Sequence, residues 1–329
     1  MRVRLLREAG GLGDVVCAMG CATAVVRACP DAHITFVSLE QYRELVGLCP
    51  DIHKFVGVSA ARRPRDTLPN PDRYRYLRDG HHDATVDLFC PGWRHEWATQ
   101  GLVTKGRCQI FCETTATTTG LSLTPTPPTI RLTDYDRGRA DGWLQGQGID
   151  LARPIIALQP QASLTARRWP NARWIEFVDL MRAAAPRVQF ICFGTHHDML
   201  QLACELKAVP VIRQRERLVA SLIARCALLV GVDSGLYHFA AAIGTPTVGL
   251  FGLTSGATTS AWYSKAVYLE AGDVERRAAG VTCTRHCHNM PTAGKQPRCN
   301  DSPCPAMAEI APKAVAVLSL VRLTSTGLL

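Results

Sequence analysis

Residues 230–248 have the sequence VGVDSGLYHFAAAIGTPTV, and this stretch decides the fold. An apolar strand over residues 227–232 runs into a polar turn, a helix starts at once over 235–243, and a second strand follows over 247–251. The first N–H groups of a helix lack partners within it, and the helix dipole adds positive character at that end. A strand–turn–helix junction of this kind therefore predicts an anion-binding site.

The side chains at this junction suit a phosphate group. Asp233 and Ser234 lie at the predicted N-cap, and His238 lies one turn later on the same face as Ser234. A phosphate flanked by a hydroxyl, an imidazole and backbone donors is the expected occupant, and we interpret it as part of a nucleotide diphosphate. The alternative is an ordinary capped helix in an α/β sheet.

Strands and helices alternate along the chain on both sides of this junction. Apolar runs predict strands over residues 3–6, 34–38, 54–58, 84–89, 155–159, 188–193, 210–212, 227–232, 247–251 and 266–269. Helical spacing predicts helices over residues 15–28, 41–48, 134–146, 172–184, 197–207, 217–225, 235–243 and 308–323. Such alternation is typical of parallel βαβ units with right-handed crossovers.

The 329 residues are enough for two such domains. Two doubly wound, Rossmann-like α/β domains facing each other across a cleft are the most economical arrangement. Residues 114–129, dense in Thr and Pro, suit a connector. We place the first domain at residues 1–130 and the second at 131–307, and a final helix in 308–329 could return to the first domain.

The net charge of +9 favours an anionic partner such as a nucleotide, a phosphorylated saccharide, nucleic acid or membrane headgroups. The alternative is that the charge only maintains solubility. The sequence contains no run of eighteen apolar residues, so we expect no membrane span. Residues 1–8 lack the apolar core of a signal peptide. We therefore expect a cytoplasmic protein.

A glycine-rich turn follows the first predicted strand, with the sequence GGLGD over residues 10–14. Glycines let the backbone approach a ligand closely, and Gly13 is one of them. Asp14 would stand at the start of a helix, at the carboxyl ends of the strands, where open α/β sheets bind ligands. Asp14 is therefore either an N-cap or a general base that accepts a proton from an attacking hydroxyl.

A second polar loop opens the second half of the chain. Ser163 lies in a loop of small residues after the strand at 155–159, and Arg167 and Arg168 precede Trp169. Guanidinium groups suit a diphosphate, because they donate in a planar fork and stay charged. The alternative is a solvated basic loop with Trp169 filling the core.

Together these motifs resemble glycosyltransferase family 9, the bacterial ADP-heptose:lipopolysaccharide heptosyltransferases and their relatives, which have the two-domain GT-B fold. The similarity covers nearly the whole chain. It rests on GLGD at 11–14, RRWP at 167–170, VDSGLYH at 232–238, GTPTVGLFG at 244–252, and Thr254. It implies inverting sugar transfer from a nucleotide-activated donor without an obligatory catalytic metal.

The resemblance also implies roles for individual residues. Asp14 becomes the base that activates the acceptor hydroxyl. The donor-binding set is Gly13, Ser163, Arg167, Arg168, Asp233, Ser234, Gly235, His238 and Thr254. Arg167 stands where the family usually has a lysine that touches the donor phosphates, a departure that keeps the charge and changes the geometry. Asp233 could bind a sugar hydroxyl or cap the helix.

Four of the fourteen cysteines form a separate cluster in a polar segment, Cys283, Cys287, Cys299 and Cys304. Their spacing, C-x3-C-x11-C-x4-C within residues 281–305, predicts a closed structural metal site, with zinc as the default. Iron is the alternative, because some protein-modifying members of the resembled family hold iron in a four-cysteine knob. His286 and His288 could substitute as ligands, and unligated thiols are the remaining interpretation. Most of the other ten cysteines lie within apolar patterns, where a thiol acts as a small hydrophobe.

A basic loop over residues 60–83 interrupts the first domain. It interleaves arginines with aromatic residues, of which Arg73, Tyr74 and Arg75 are candidate acceptor-binding residues, because the first domain receives the acceptor in GT-B enzymes. Such side chains can bind sugar phosphates or the backbone and bases of DNA. A solvated loop is the alternative.

We therefore expect an inverting glycosyltransferase that moves a heptose or hexose from an ADP- or UDP-linked donor to an acceptor hydroxyl. The acceptor is a lipopolysaccharide or related glycan, and a homo-oligomer is possible. Transfer to hydroxymethylated bases in DNA or to protein side chains is the alternative. An alternative from a different functional class is a non-catalytic GT-B scaffold protein that carries a structural metal site in its cysteine-rich segment.

Overall fold

The structure is a computed structural model that describes residues 1–8, 10–59, 80–88, 106–195, 198–252, 254–271, 305–325 and 327. The described residues form two compact units, which divide between Arg131 and Leu132. Each unit is built on one sheet whose strands are all parallel.

The first unit has a four-stranded sheet in the order β3-β2-β1-β4. Its elements are β1 (Arg2–Arg7), α1 (Leu12–Ala28), β2 (His33–Leu39), a 3-10 turn (Glu40–Tyr42), α2 (Arg43–Val46), β3 (Lys54–Val58), β4 (Ala84–Asp87) and α3 (Arg107–Thr119). The central strand β1 is buried from Val3 to Arg7, and the residues of α1 from Val15 to Val25 are buried too. This packing fixes the turn between β1 and α1.

Helix α3 corrects the prediction of a Thr/Pro connector from residue 114. The helix continues to Thr119 and ends at Gly120, whose φ of 71° suits glycine. Its threonine hydroxyls donate to carbonyls four residues earlier, as Thr115 does to Phe111 at 2.7 Å. Cys108 and Cys112 are buried on this helix, which packs against α1. Tertiary packing thus outweighs the weak helix propensity of threonine.

The second unit has a six-stranded sheet in the order β10-β9-β8-β5-β6-β7. Its elements are α4 (Asp134–Gly146), β5 (Ile155–Gln159), a 3-10 turn (Thr165–Arg167), α5 (Asn171–Ala184), β6 (Gln189–Gly194), α6 (Asp198–Glu205), β7 (Val209–Ile212), α7 (Glu216–Arg225), β8 (Leu228–Val232), α8 (Gly235–Ile243), β9 (Thr247–Phe251), α9 (Gly256–Ser260), β10 (Ala266–Glu270), α10 (Pro305–Glu309) and α11 (Pro312–Ser325). Counted within the unit, this is the strand order 3-2-1-4-5-6 of dinucleotide-binding folds.

The C-terminal helix predicted over 308–323 is two helices, α10 and α11. Pro312 separates them, because proline cannot donate a backbone hydrogen bond and is favoured at the start of a helix. Residues 308–329 could, from sequence alone, return to the first domain, but α11 packs against α5, β8 and β9 of the second unit.

Trp169 connects the loop after β5 to this C-terminal segment. Its side chain is buried, and its Nε1 donates to the Ile310 carbonyl at 3.1 Å. The Trp169 ring packs edge-on against Trp174 of α5, with ring centres 5.0 Å apart. The Arg-Arg-Trp-Pro motif is therefore fixed at Trp169 by the core of the second unit.

No cysteine in the part of the chain that the structure describes forms a disulfide. Cys17 and Cys21 of α1 are buried where that helix meets Cys108 of α3. Burial, and then the neighbouring Cys17 thiol, raise the pKa of Cys108 well above its usual value. These thiols act as small core side chains, as predicted. Within the described residues, every helix is too short or too polar to cross a lipid bilayer.

Candidate active site

Most of the predicted site residues that the structure describes lie where the strand order of their unit reverses. In the first unit this point lies between β1 and β4, and in the second it lies between β5 and β8. Open parallel sheets bind ligands at the carboxyl ends of the strands beside such a point. Asp14 follows β1, and Arg167 and Asp233 follow β5 and β8.

Asp14 lies in the first turn of α1, whose N-cap is Gly11. Its Oδ2 accepts a hydrogen bond from the Gly11 N–H at 3.0 Å, so the carboxylate caps the helix from three residues inside it. Gly13 lies in the same turn and is half-buried. The side chain of Asp14 is only 11% exposed. Asp14 therefore combines a capping contact with the position expected of a base.

Two arginines contact the Asp14 carboxylate. Arg7 Nη2 lies 3.4 Å from Oδ2, and Arg107, the first residue of α3, forms an ion pair with Oδ1. Arg7 is itself buried: its Nη1 donates to the Leu88 carbonyl at 2.7 Å, and its guanidinium lies 5.2 Å from the centre of the Phe111 ring. Sequence reasoning missed both arginines. The sequence did offer a signal for Arg7, because a charged residue at the end of a buried strand indicates a site residue.

The predicted helix start in the second unit is confirmed. Ser234 is the N-cap of α8, its Oγ accepts from the Tyr237 N–H at 3.4 Å, and Gly235 is the first helical residue. Capping thus belongs to Ser234, while the Asp233 carboxylate makes other contacts.

Asp233 is the centre of a cluster of predicted residues. Its Oδ2 lies 3.2 Å from Arg167 Nη1 and accepts from Thr254 Oγ1 at 2.5 Å, and its Oδ1 lies 3.5 Å from His238 Nε2. The structure therefore brings together Arg167, Asp233, His238 and Thr254, which come from three separate segments of the sequence, since Asp233 and His238 belong to the same strand–helix junction.

The electrostatics of this cluster favour an ionised Asp233. Burial of the carboxyl group raises its pKa, but the Arg167 charge, the His238 hydrogen bond and charge, and the Thr254 hydroxyl outweigh burial. The net effect lowers the pKa of Asp233 far below its usual value. The carboxylate therefore holds the Arg167 guanidinium and the His238 imidazole at fixed positions beside the start of α8.

Arg167 retains donor capacity beyond its pair with Asp233. Its Nε is buried and has no hydrogen-bond partner among the described residues. Buried donors are normally paired, so this N–H is a candidate contact for a ligand oxygen. Arg168 differs, since its Nε donates to the Ala162 carbonyl at 3.1 Å. Ser163 is exposed in the same loop.

Other predicted residues lie outside the described part of the chain. These are the acceptor candidates Arg73, Tyr74 and Arg75 and the metal-ligand candidates Cys283, Cys287, Cys299 and Cys304, with His286 and His288. Within the part that is described, no group of three or more His, Cys, Asp or Glu side chains is arranged to hold a metal ion.

The fold defines a parallel α/β protein whose candidate site residues cluster near the carboxyl ends of the strands in each unit. Residues 79–287 match the family model of glycosyltransferase family 9 (heptosyltransferase). The chain belongs to this family and is a glycosyltransferase.

Individual relatives agree with this assignment. Lipopolysaccharide heptosyltransferase 1 of Pseudomonas aeruginosa is 24% identical over 318 residues, which are 86% of this chain and 88% of that protein. Lipopolysaccharide heptosyltransferase 3 of Escherichia coli is 26% identical over 128 residues, so that match spans only 37% of either chain.

Solved structures show the same fold. A family 9 glycosyltransferase from Veillonella parvula superposes with a TM-score of 0.74 at 17% identity, over 98% of this chain and 97% of that one. ADP-heptose lipopolysaccharide heptosyltransferase II of E. coli gives 0.70 at 17% identity, over 99% and 100%. TibC, an iron-containing dodecameric glycosyltransferase from enterotoxigenic E. coli, gives 0.64 at 13% identity, over 99% and 76%. The predicted GT-B class of α/β fold with parallel sheets is therefore confirmed.

Proposed function

We propose that this glycosyltransferase transfers a heptose or a related hexose, with inversion, from a nucleotide-diphosphate donor to a hydroxyl of a lipopolysaccharide or similar glycan. The donor is ADP- or UDP-linked. The names of the relatives support the ADP-heptose choice and the glycan acceptor, since those proteins are lipopolysaccharide heptosyltransferases and one is named for ADP-heptose.

The observation that carries this proposal is the Asp233 cluster at the start of α8. A buried, ionised carboxylate holds Arg167 3.2 Å away, and the Arg167 Nε is a buried donor with no partner among the described residues. Ser234 and Gly235 begin the helix beside it. A cation and helix-end N–H groups at a strand-order reversal suit the diphosphate of a nucleotide sugar.

In the proposed reaction Asp14 removes the proton of the acceptor hydroxyl. The acceptor oxygen then forms a bond to the anomeric carbon as the bond between that carbon and the diphosphate oxygen breaks. The electron pair leaves on the diphosphate, and the sugar configuration inverts. Arg167, Arg168, Ser163 and the N–H groups of α8 stabilise the negative charge that develops there, which is usually the largest catalytic contribution. Gly13 and Thr254 complete the donor-binding set.

The direct test is nucleotide release from a panel of ADP- and UDP-sugars, each mixed with a lipopolysaccharide core, a glycan-accepting protein or hydroxymethylated DNA. The proposal expects release that depends on the glycan acceptor and persists in EDTA. Nucleotide release that depends on DNA or on protein would contradict the glycan acceptor and would identify DNA or protein as the acceptor instead. No acceptor-dependent release with any pairing would favour the scaffold class.

A structural metal is a separate part of the proposal. Cys283, Cys287, Cys299 and Cys304 have the number and spacing of a closed thiolate site for zinc or iron. The iron-containing neighbour TibC supports iron. Metal analysis of purified protein should find about one metal ion per chain, and Cys283→Ser with Cys287→Ser should abolish it. Cys204, an exposed thiol outside this segment, gives the control Cys204→Ser. Metal retained in the double variant would contradict the assignment.

The assembly and location also remain proposals. TibC is dodecameric, which supports a homo-oligomer here. Light scattering of the full chain tests this, and a monomeric mass would contradict it. Fractionation of expressing cells tests the proposed cytoplasmic location.

A further inference from the structure

The phenol of Tyr263 lies against His238 in the second unit. Tyr263 Oη is 3.3 Å from His238 Nδ1, and the two rings lie 5.8 Å apart between centres. Tyr263 is 4% exposed, and both its N–H and its carbonyl are hydrogen-bonded, to Ser260 and Ala266. The phenol is therefore presented to His238 from a fixed turn between α9 and β10.

The other ring nitrogen of His238 faces Asp233, with Nε2 3.5 Å from Oδ1. An ionised carboxylate only accepts hydrogen bonds, so Nε2 must carry the proton. In a neutral imidazole Nδ1 is then an acceptor, and the Tyr263 hydroxyl donates to it. A chain of contacts thus runs from Tyr263 through His238 to Asp233, whose other oxygen contacts Arg167 and Thr254.

We propose that Tyr263 is a positioning residue of the donor site, which holds His238 in the Nε2–H tautomer and so keeps Asp233 turned toward Arg167. This inference rests on the proposed function, because it assumes that the donor diphosphate binds beside Arg167. If Tyr263 no longer donates to Nδ1, the Nδ1–H tautomer becomes accessible. That tautomer places the Nε2 lone pair against the Asp233 carboxylate, which then turns and releases Arg167.

Protonation of His238 should rescue the loss of Tyr263. A protonated imidazole carries hydrogen on both nitrogens, so Nε2–H faces Asp233 without help from the phenol. Among the described residues, the charged or titratable groups that face His238 include Asp233, Tyr263 and Tyr237, with Arg167 behind Asp233. We therefore expect any loss of nucleotide affinity in Tyr263→Phe, relative to wild type, to be smaller at acidic pH.

Tyr237 offers a matched control. Its ring also contacts His238, with centres 5.4 Å apart, and it is fully buried. Its hydroxyl pairs with Ser260 Oγ at 2.9 Å, whereas His238 Nδ1 faces the Tyr263 hydroxyl. Tyr237→Phe also removes a buried phenol oxygen from a ring that contacts His238, but it does not change the partner of Nδ1.

The first experiment measures the His238 tautomer by ¹⁵N NMR in protein without nucleotide, at pH 8, with His238→Gln to assign the signals. We expect the Nε2–H form in wild type and Tyr237→Phe, and a mixture of both tautomers in Tyr263→Phe. An unchanged tautomer in Tyr263→Phe overturns the inference. Because no ligand is present, this result does not depend on the proposed function.

The second experiment titrates ADP and UDP into the three proteins at pH 8 and pH 5.5. We expect Tyr263→Phe to weaken binding of the nucleotide that wild type binds by about three- to tenfold at pH 8, the effect of one hydrogen bond. At pH 5.5 the ratio of the nucleotide Kd of Tyr263→Phe to that of wild type should approach one. Tyr237→Phe should bind the nucleotide like wild type at both pH values. An equal defect at both pH values overturns the positioning role. If wild type binds neither ADP nor UDP, the proposed donor site itself is overturned. This outcome is distinct from failure of the positioning role of Tyr263.

Discussion

Arg7 and Asp14 lie at opposite ends of the turn that joins β1 to α1, and their side chains meet, with Nη2 3.4 Å from Oδ2. Both side chains are nearly buried, so the charges interact more strongly than a surface pair does. Arg7 is held in turn by the Leu88 carbonyl at the end of β4. A carboxylate at the reversal of strand order is thus given a fixed direction by a residue of the strand before it.

Gly10 makes this contact possible. Its φ is 113°, and a Cβ there would lie 2.5 Å from Asp14 Oδ2 and 2.6 Å from Arg7 Nη2. We expect Gly10→Ala to lower the free energy of unfolding by about 1–3 kcal/mol. Urea denaturation measures the change.

The adjacent Gly11 provides the comparison for Gly10. Its backbone is extended, with φ −84°, and a Cβ there would meet nothing within 4 Å. Gly11→Ser also supplies a favourable N-cap residue, so stability should be unchanged or slightly higher. Equal losses in the two variants would show that crowding at Gly10 is not the cause.

Removing the guanidinium of Arg167 should weaken donor binding. Arg167→Met deletes a charged partner for the diphosphate, which we expect to cost about 1.5–3 kcal/mol of binding free energy. Arg167→Lys should be intermediate, since it keeps the charge and loses the planar fork. Calorimetric titration of the nucleotide measures both effects.

Arg173 is the control for Arg167. It lies on the surface of α5, where its Nη1 is 3.5 Å from Glu176. Arg173→Met should bind nucleotide like wild type. A similar loss in both variants would mean that general positive charge, rather than the Asp233 cluster, binds the donor.

Trp169 and Trp174 allow the link to the C-terminal segment to be measured. Both are buried, but only Trp169 donates to a carbonyl, that of Ile310, while Trp174 Nε1 has no partner among the described residues. Trp169→Phe should therefore lower the free energy of unfolding by about 1 kcal/mol more than Trp174→Phe. Equal losses would show that this hydrogen bond adds nothing.

Acid should destabilise the first unit through His82. Its Nδ1 accepts from Arg4 at 2.7 Å and its Nε2 lies 3.1 Å from Thr35 Oγ1. Burial, and then the Arg4 charge, lower the pKa of His82 below its usual 6.5. At acidic pH the unfolded chain therefore binds more protons than the folded chain. The contribution of neutral His82 to the free energy of unfolding is complete above pH 6.5 and is lost as the pH falls below that value.

The variant His82→Asn tests this pH dependence. Its amide oxygen can still accept from Arg4, but it does not titrate, so urea denaturation at pH 7.5 and 5.5 should show a smaller loss of stability than in wild type. His81→Asn, which changes an exposed histidine, should behave like wild type. An unchanged acid loss in His82→Asn would place the titrating group elsewhere.

Much of the fold could be predicted from the sequence, because parallel strands and their helices leave local signals. The strand ending at Val232 and the cap at Ser234 are adjacent in sequence, so local reasoning found both. Arg7 and Tyr263 were missed, because their roles arise from contacts with residues distant in sequence. Residues 114–119 were missed as helix, since composition favoured a connector while packing against α1 decided the structure. The order of the strands followed only from the structure.

The most direct test of the account is Asp14→Asn, measured for sugar transfer and for donor binding in the same preparation. Asparagine keeps the size of the side chain and an oxygen that can accept from Gly11 N–H, so the fold should persist. We predict a loss of about 10²- to 10⁴-fold in kcat, the usual contribution of a general base, with the Kd of the nucleotide within about threefold of wild type. Transfer at the wild-type rate, or a loss confined to donor affinity, would contradict Asp14 as the base.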